Sequence, residues 1–442
     1  MRVLAPGCLA ALLACVLWLA APPETRAELS GHGGFVKGVA VSGDGRQALT
    51  GSFDYTVILW DLEAQTARFV LDAHEASVNA VAFLPDDSKG LSVSDDGTLR
   101  LWSLTDGELL HTFRGHQGKV QAVAVSTDGR YAATAGWDRT VRVWDLEARE
   151  QRAVLEGHEN NVNSLAFLPG NGSHLVSGSY DLRLRLWDWP EERQLAAFEG
   201  HEVGITSLAV TPDGETLVSG SGDSTVRVWP LDRPDDSRLL GEHDHPVFTV
   251  AVSPDGRYAA SAGADRIIHL WDLGSLRKLR SFTGHLAPVW SLAFHPDGRR
   301  LLSAGSDEVV RIWDLESGEE LGVSVTAGTR AIGELAGEED RGAQVFKKCK
   351  VCHELRPGIS RRAGPTLYGI FGRQAGTVEG YKYSEALTDS DIVWTAETVA
   401  ELFEVGPDVM TPGTKMPIQR IPNADDRAAL MDYLARTTGV DE

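Results

Sequence analysis

Two cysteines stand three positions apart in Cys349-Lys350-Val351-Cys352-His353, and an imidazole directly follows the second. Thiols at this spacing can hold zinc, cycle as a redox pair, close a disulfide, or form thioethers to a haem. Zinc needs two more ligands near by, and the sequence has no second Cys pair. A thioredoxin-like pair needs a βαβ setting, which the surrounding pattern lacks. The only other cysteines, Cys8 and Cys15, lie in an apolar N-terminal segment, so no disulfide framework is implied. The haem reading accounts for all three side chains. On one helical turn each thiol reaches one vinyl group, and the adjacent His353 meets the iron from the same side. An electron carrier also needs a second axial ligand, because an open iron site binds small molecules instead. Met431 lies in a helical pattern and reads as core or helix surface. Met416 lies in Thr411-Pro412-Gly413-Thr414-Lys415-Met416-Pro417, a stiff loop suited to fixing a thioether, with Met410 as its rival.

Haem attachment of this kind is completed outside the cytoplasm, and the N-terminus agrees. Arg2 supplies a positive charge, Cys8 to Ala21 an apolar run, and Pro22-Pro23 its end; Thr25-Arg26-Ala27 offers small residues for cleavage after Ala27. The run is short for a spanning helix. An uncleaved anchor or a lipoprotein is the rival, but the apolar Val16 to Ala21 after Cys15 is wrong for a lipoprotein start. A periplasmic protein with no membrane span after cleavage is expected.

The elements in front of the motif repeat. Trp60, Trp102, Trp144, Trp187, Trp229, Trp271 and Trp313 recur at intervals of 42 or 43. Six residues before each stands an Asp (Asp54, Asp96, Asp138, Asp181, Asp223, Asp265, Asp307), and ten before it a Ser or Thr. Further upstream each repeat has a His: His32, His74, His116, His158, His201, His243 and His285. Apolar alternation cut by Asp-Gly turns gives three short strands per repeat, with a fourth after the Trp. A lone unit of this kind cannot bury its faces, whereas a closed ring of them can. These markers resemble the WD40 family over residues 29 to 326, which implies a seven-bladed all-β propeller. The resemblance also implies a buried network of His, Asp, hydroxyl and Trp in each blade, so these groups read as structural and not as catalysts. The remaining His111, His174, His245, His269 and His295 show no metal-ligand spacing. Only Glu28 to Ser30 precede the first Gly-His pair after cleavage, and Glu320 to Ala327 can supply a last outer strand. Each blade is therefore expected to use its own four strands, with no exchange at the closure.

After residue 326 the repeat stops. Residues 327–337 read as a linker, and Glu338-Glu339-Asp340 open a helical pattern leading into Cys349. Residues 338 to 437 resemble class I cytochromes c, of the mitochondrial and bacterial c2 kind, through Cys349 to His353, Gly364-Pro365, Gly372-Arg373, Gly380 to Tyr383, Trp394, Pro412 to Met416 and the terminal helix with Leu430, Tyr433 and Leu434. The resemblance implies an all-α domain at 338–442 with one covalent haem c and His353 and Met416 as axial ligands. It further implies that the Pro365 carbonyl orients His353 and that Arg373, Tyr383 and Trp394 lie at the haem propionates; core packing is the alternative for the two aromatics. Where the family often places a Tyr near the axial Met, this chain has Leu402-Phe403.

The net charge of −21 argues against nucleic acid as a partner. Most of it falls on the repeats. Near the haem motif bases gather instead: Lys347, Lys348, Lys350, Arg356, Arg361, Arg362, Arg373, Lys382, Lys415 and Arg420. A basic haem edge that steers acidic redox proteins follows, or equally a solvated surface. The function expected is single-electron transfer, with the propeller as a platform for a protein partner and no catalytic residues. Two rivals stand: an oxidoreductase with substrate in the propeller channel, and a redox-sensing scaffold.

Overall fold

The computed structural model describes residues 28–170, 172–321 and, between 341 and 438, all but 351–352, 354, 356–364, 380, 382, 413–420 and 422. Seven four-stranded antiparallel sheets follow one another around a ring. In the first, strands Val36–Val41, Gln47–Ser52, Thr56–Asp61 and Thr66–Asp72 run from the inside outward. The second and third strands are buried along nearly their whole length; the third carries the apolar run Val57 to Trp60, and the second fills its place with small residues. The outer strand is alternately buried and exposed.

The turns are fixed by side-chain chemistry. Between the first two strands the Asp44 carboxylate accepts from the Ser42 hydroxyl at 2.7 Å and the Arg46 N–H at 2.9 Å. Gly45 is left-handed (φ 73°), and the His295 ring of the seventh blade lies where a Cβ would project. His295 Nε2 donates to the Gly45 carbonyl at 2.7 Å. A histidine outside the repeat pattern therefore ties the last blade to the first.

The closure departs from the expectation above. Glu28–Ser30 pairs antiparallel with Val309–Asp314, the third strand of the last blade, in the register Glu28↔Arg311, Leu29↔Val310, Ser30↔Val309. The ring does exchange a strand. The chain after Trp313 supplies the other half of the outer edge: Glu320 bridges Trp313, and the Leu321 N–H donates to the Ile312 carbonyl at 2.8 Å. The reason is apolar burial. Leu29 is 1% exposed and joins a cluster with Val36 and Trp60 of the first blade and Leu302, Val310 and Ile312 of the last. Three residues suffice because one buried leucine seals both blades. Residues 322–327 lie outside the described residues.

The C-terminal region is helical: α1 (Arg341–Lys350), α2 (Glu385–Thr388), α3 (Ala396–Val405), α4 (Pro407–Met410) and α5 (Ala424–Thr438). Residues 338–340, expected to open the first helix, lie outside the described residues, as does 327–337. α3 starts on a reciprocal cap between Thr395 and Thr398. α1 and α5 pack closely at Gly342, where an added Cβ would stand 2.0 Å from the Ala429 carbonyl oxygen and 2.4 Å from the Tyr433 Cβ. The Arg341 guanidinium, half exposed, donates to Asp426 across the same crossing at 2.6 Å. Phe346, Cys349, Ile370, Val399, Phe403, Ile421, Leu430, Met431 and Leu434 form the buried core between these helices.

Candidate cofactor site

Cys349 is the ninth residue of α1, on the side that the helix turns to the core, and is 5% exposed. The His353 N–H bonds the Cys349 carbonyl at 2.9 Å, so the chain still winds helically at the histidine. His353 Nδ1 donates to the Pro365 carbonyl oxygen at 2.8 Å. That bond sets the tautomer: Nδ1 carries the proton, and Nε2 presents its lone pair away from Pro365. A buried thiol over an apolar bed, next to an imidazole held in this way, is the donor set a covalently attached haem requires.

Arg373 is tied to the segment that carries Pro365. Its guanidinium donates to the Thr366 carbonyl at 2.7 Å and the Tyr368 carbonyl at 2.8 Å. Burial lowers its pKa from the ordinary value, with the nearby Tyr383 phenol acting the other way. No carboxylate pairs with it among the described residues, so its remaining N–H groups suit an anion brought by a ligand. Backbone bonds from Trp394 to Arg373 (2.9 Å) and from Gly372 to Trp394 (2.8 Å) lace this strand-like pair together. Trp394 packs at the edge of the core. The Tyr383 hydroxyl accepts from the Val378 N–H at 3.3 Å, its ring meets Tyr381 edge-on at 4.8 Å, and burial raises its pKa. Met431 is 8% exposed within the core, and Met410 ends α4, half buried. Cys352 and Met416 lie outside the described residues, as do Gly364, Gly380 and, apart from Arg373, the side chains of the basic residues gathered near the motif.

The seven blade quartets are closed networks. In each, Trp Nε1 donates to the Ser or Thr hydroxyl at 2.7–2.9 Å. The same hydroxyl bonds His Nε2 at 2.7–2.8 Å. His Nδ1 then meets the Asp carboxylate at 2.7–3.0 Å. Every polar atom has its partner, which leaves no free group for catalysis. Burial alone would raise the Asp181 carboxyl, but the His158 ring and two backbone N–H groups outweigh it and hold the pKa at about 2. Burial lowers His74, His158 and His201, so these rings are neutral.

Two features escaped the motif pattern. His269 stacks on His243 at 4.3 Å between ring centres, with Asp265 adjacent. Both His243 nitrogens are already bonded, to Asp265 and Ser261 at 2.7 Å, and His269 Nδ1 meets the Ser281 hydroxyl at 2.9 Å, so the group belongs to the hydrogen bonding of its blade. The second feature is a ring of seven bulges at the channel, five residues after each blade His. Their residue types vary, so no motif marks them.

Comparison with known proteins fits this division. The family of the WD domain, G-beta repeat, matches seven times between residues 23 and 314, and the cytochrome c family matches residues 339–438. Cytochrome c2 of Rhodoblastus acidophilus is 40% identical over 101 residues, 23% of this chain and 94% of the relative. Cytochrome c2 of Blastochloris viridis is 42% identical over 93 residues, 21% of this chain and 72% of that protein. Cytochrome c of Nigella damascena is 38% identical over 104 residues, 23% and 93% respectively. Fold and site thus define a class: a seven-bladed propeller joined in one chain to a covalent haem domain. The chain belongs to the WD40 repeat family and, through its C-terminal domain, to the cytochrome c family. Its cofactor is one covalently bound haem c. The cytochrome c domain indicates an electron carrier and not a conventional enzyme, and the propeller indicates protein interaction.

Proposed function

We propose that this chain is an exported electron carrier whose haem iron is held by His353 and Met416 and whose propeller holds a protein partner beside it. The bond from His353 Nδ1 to the Pro365 carbonyl supports the reading, because it fixes the tautomer in which Nε2 would be the iron ligand. When bound, the haem supplies a one-electron couple. The protein's part is to hold it still. Cys349 and Cys352 fix it covalently, and Pro365 keeps the imidazole from rotating. Arg373, with Tyr383 and Trp394 near it, would offset the charge of the propionates. Met416, in a Pro/Gly-rich stretch of the sequence, would supply the second ligand, so that the oxidation state could change without ligand exchange.

Export is part of the proposal. It rests on the charged, apolar and small-residue pattern that precedes Glu28 in the sequence. No helix among the described residues is long and apolar enough to cross a membrane. The basic residues near the haem motif steer acidic redox proteins toward its edge.

The test is a redox titration of the purified, exported protein together with exposure of its reduced form to carbon monoxide. A single one-electron transition and no carbon monoxide binding are expected. Ready binding of carbon monoxide would show an open iron site and overturn the carrier reading.

A further inference from the structure

Each innermost strand of the propeller opens with a β-bulge, at Lys37, Asn79, Gln121, Asn163, Thr206, Phe248 and Trp290. A bulge re-aims one side chain out of the ladder. Here seven are re-aimed at the same level, and they join neighbouring blades around the mouth of the channel on the side of the His–Asp turns. Lys37 Nζ donates to Asn79 Oδ1 at 2.7 Å and lies 5.5 Å above the Trp290 ring. Trp290 stacks on Phe248 at 4.3 Å. Asn163 and Thr206 bond carbonyls of the following blade, those of Ile205 and Val247.

The charges in this ring do not balance. Asn79 Nδ2 donates to Asp95 Oδ1 at 2.7 Å and to the Val120 carbonyl, which fixes its oxygen toward Lys37. The Lys119 ammonium takes the other Asp95 oxygen at 2.7 Å. Lys119 therefore holds the carboxylate directly, while Lys37 reaches it only through Asn79 and forms no ion pair among the described residues. Burial lowers its pKa, Asp95 opposes this, and Lys119 adds to it. An uncompensated cation in an otherwise acidic propeller attracts an anion from outside. The surrounding rim indicates its source. Phe35, Phe53, Trp137, Tyr180 and Leu286 stand 39–73% exposed on the same turns. Apolar anchors around a buried charge suit a polypeptide and not a small ion.

We propose that the channel mouth binds an extended segment of a partner protein through one of its carboxylate side chains, which pairs with Lys37 while flanking apolar residues sit on the aromatic rim. This rests on the reading of the propeller as a protein platform and names its site. The probe is a random dodecapeptide library selected on the full haem-loaded protein, with the best binder then measured by fluorescence anisotropy. The selected peptides should share an Asp or Glu beside apolar residues. Lys37→Met should weaken binding about ten- to a hundredfold, as for loss of one charged hydrogen bond. Changing the peptide's Glu to Gln should cost the same factor in the native protein and nothing further in Lys37→Met. Asp95→Asn should tighten binding, since it leaves both cations unopposed, and a purely structural role for the ring would not produce that sign. Thermal melting of both variants verifies folding. Selected peptides that lack a carboxylate, or bind Lys37→Met and Asp95→Asn as they bind the native protein, would overturn the site while leaving the platform. A selection that enriches nothing would contradict both.

Discussion

Four side chains, Cys349, Cys352, His353 and Met416, are proposed to hold the cofactor, and their neighbours set how well. The His353 imidazole is useful because Nδ1 is occupied; without the Pro365 carbonyl it could rotate and change tautomer. Arg373 is the residue whose removal should be felt electrically. On the proposed placement of Arg373 at the haem propionates, Arg373→Leu removes a cation there and favours the oxidised, more positive iron. The reduction potential should fall by about 40 mV, equivalent to about 1 kcal/mol for one electron, in a spectroelectrochemical titration. An unchanged potential would move Arg373 from the haem to the backbone carbonyls it already holds. At this scale the motif was legible from five residues, because thioether attachment and iron ligation demand fixed residue types at fixed spacing. The ring of bulges was not. A Lys, two Asn, a Gln, a Thr, a Phe and a Trp share no chemistry, and only the ladder register shows them to be equivalent.

Strands and helices add constraints that single residues do not show. The seven repeats were legible because the buried His, Asp, hydroxyl and Trp must satisfy one another, and that requirement fixes their spacing. The closing strand was not, since three residues carry no periodicity and the sealing contact is one leucine. Leu29→Ala should destabilise the propeller by about 2–4 kcal/mol, as for a fully buried leucine, measured by denaturant unfolding of the whole chain. In the helical domain, Gly342→Ala drives a methyl into the Ala429 carbonyl. It should cost at least about 2 kcal/mol, followed through the haem absorbance. The blade networks also fix a pH response. The folded-state pKa values of His74, His158 and His201 are depressed, so their contribution is fully present above the ordinary histidine range and declines as pH falls through it. Asp181, at about 2, and Asp223, also at about 2, add stability above the ordinary carboxylate value that is lost as pH falls toward 2. The melting temperature should hold above pH 7, decline below about 6.5 and drop again below about 4. A melting temperature that rose on acidification would contradict neutral histidines paired with ionised aspartates.

Taken whole, the molecule joins a rigid acidic ring to a small domain with a cation-rich motif. The division of labour follows from what each part can do. The ring keeps its polar groups for its own blades and offers surface. The helical domain offers one cofactor and little else. Association with an acidic redox protein should slow as ionic strength rises, since the basic residues near the haem act over about a Debye length. The central claim, however, is that His353 and Met416 close the iron from both sides. The most direct measurement is the near-infrared absorption of the oxidised protein, where a weak sulfur-to-iron band marks a bound methionine. The band should be present in the native protein and in Met410→Ala, and absent in Met416→Ala. Its persistence in Met416→Ala, or its absence from the native protein, would contradict the account.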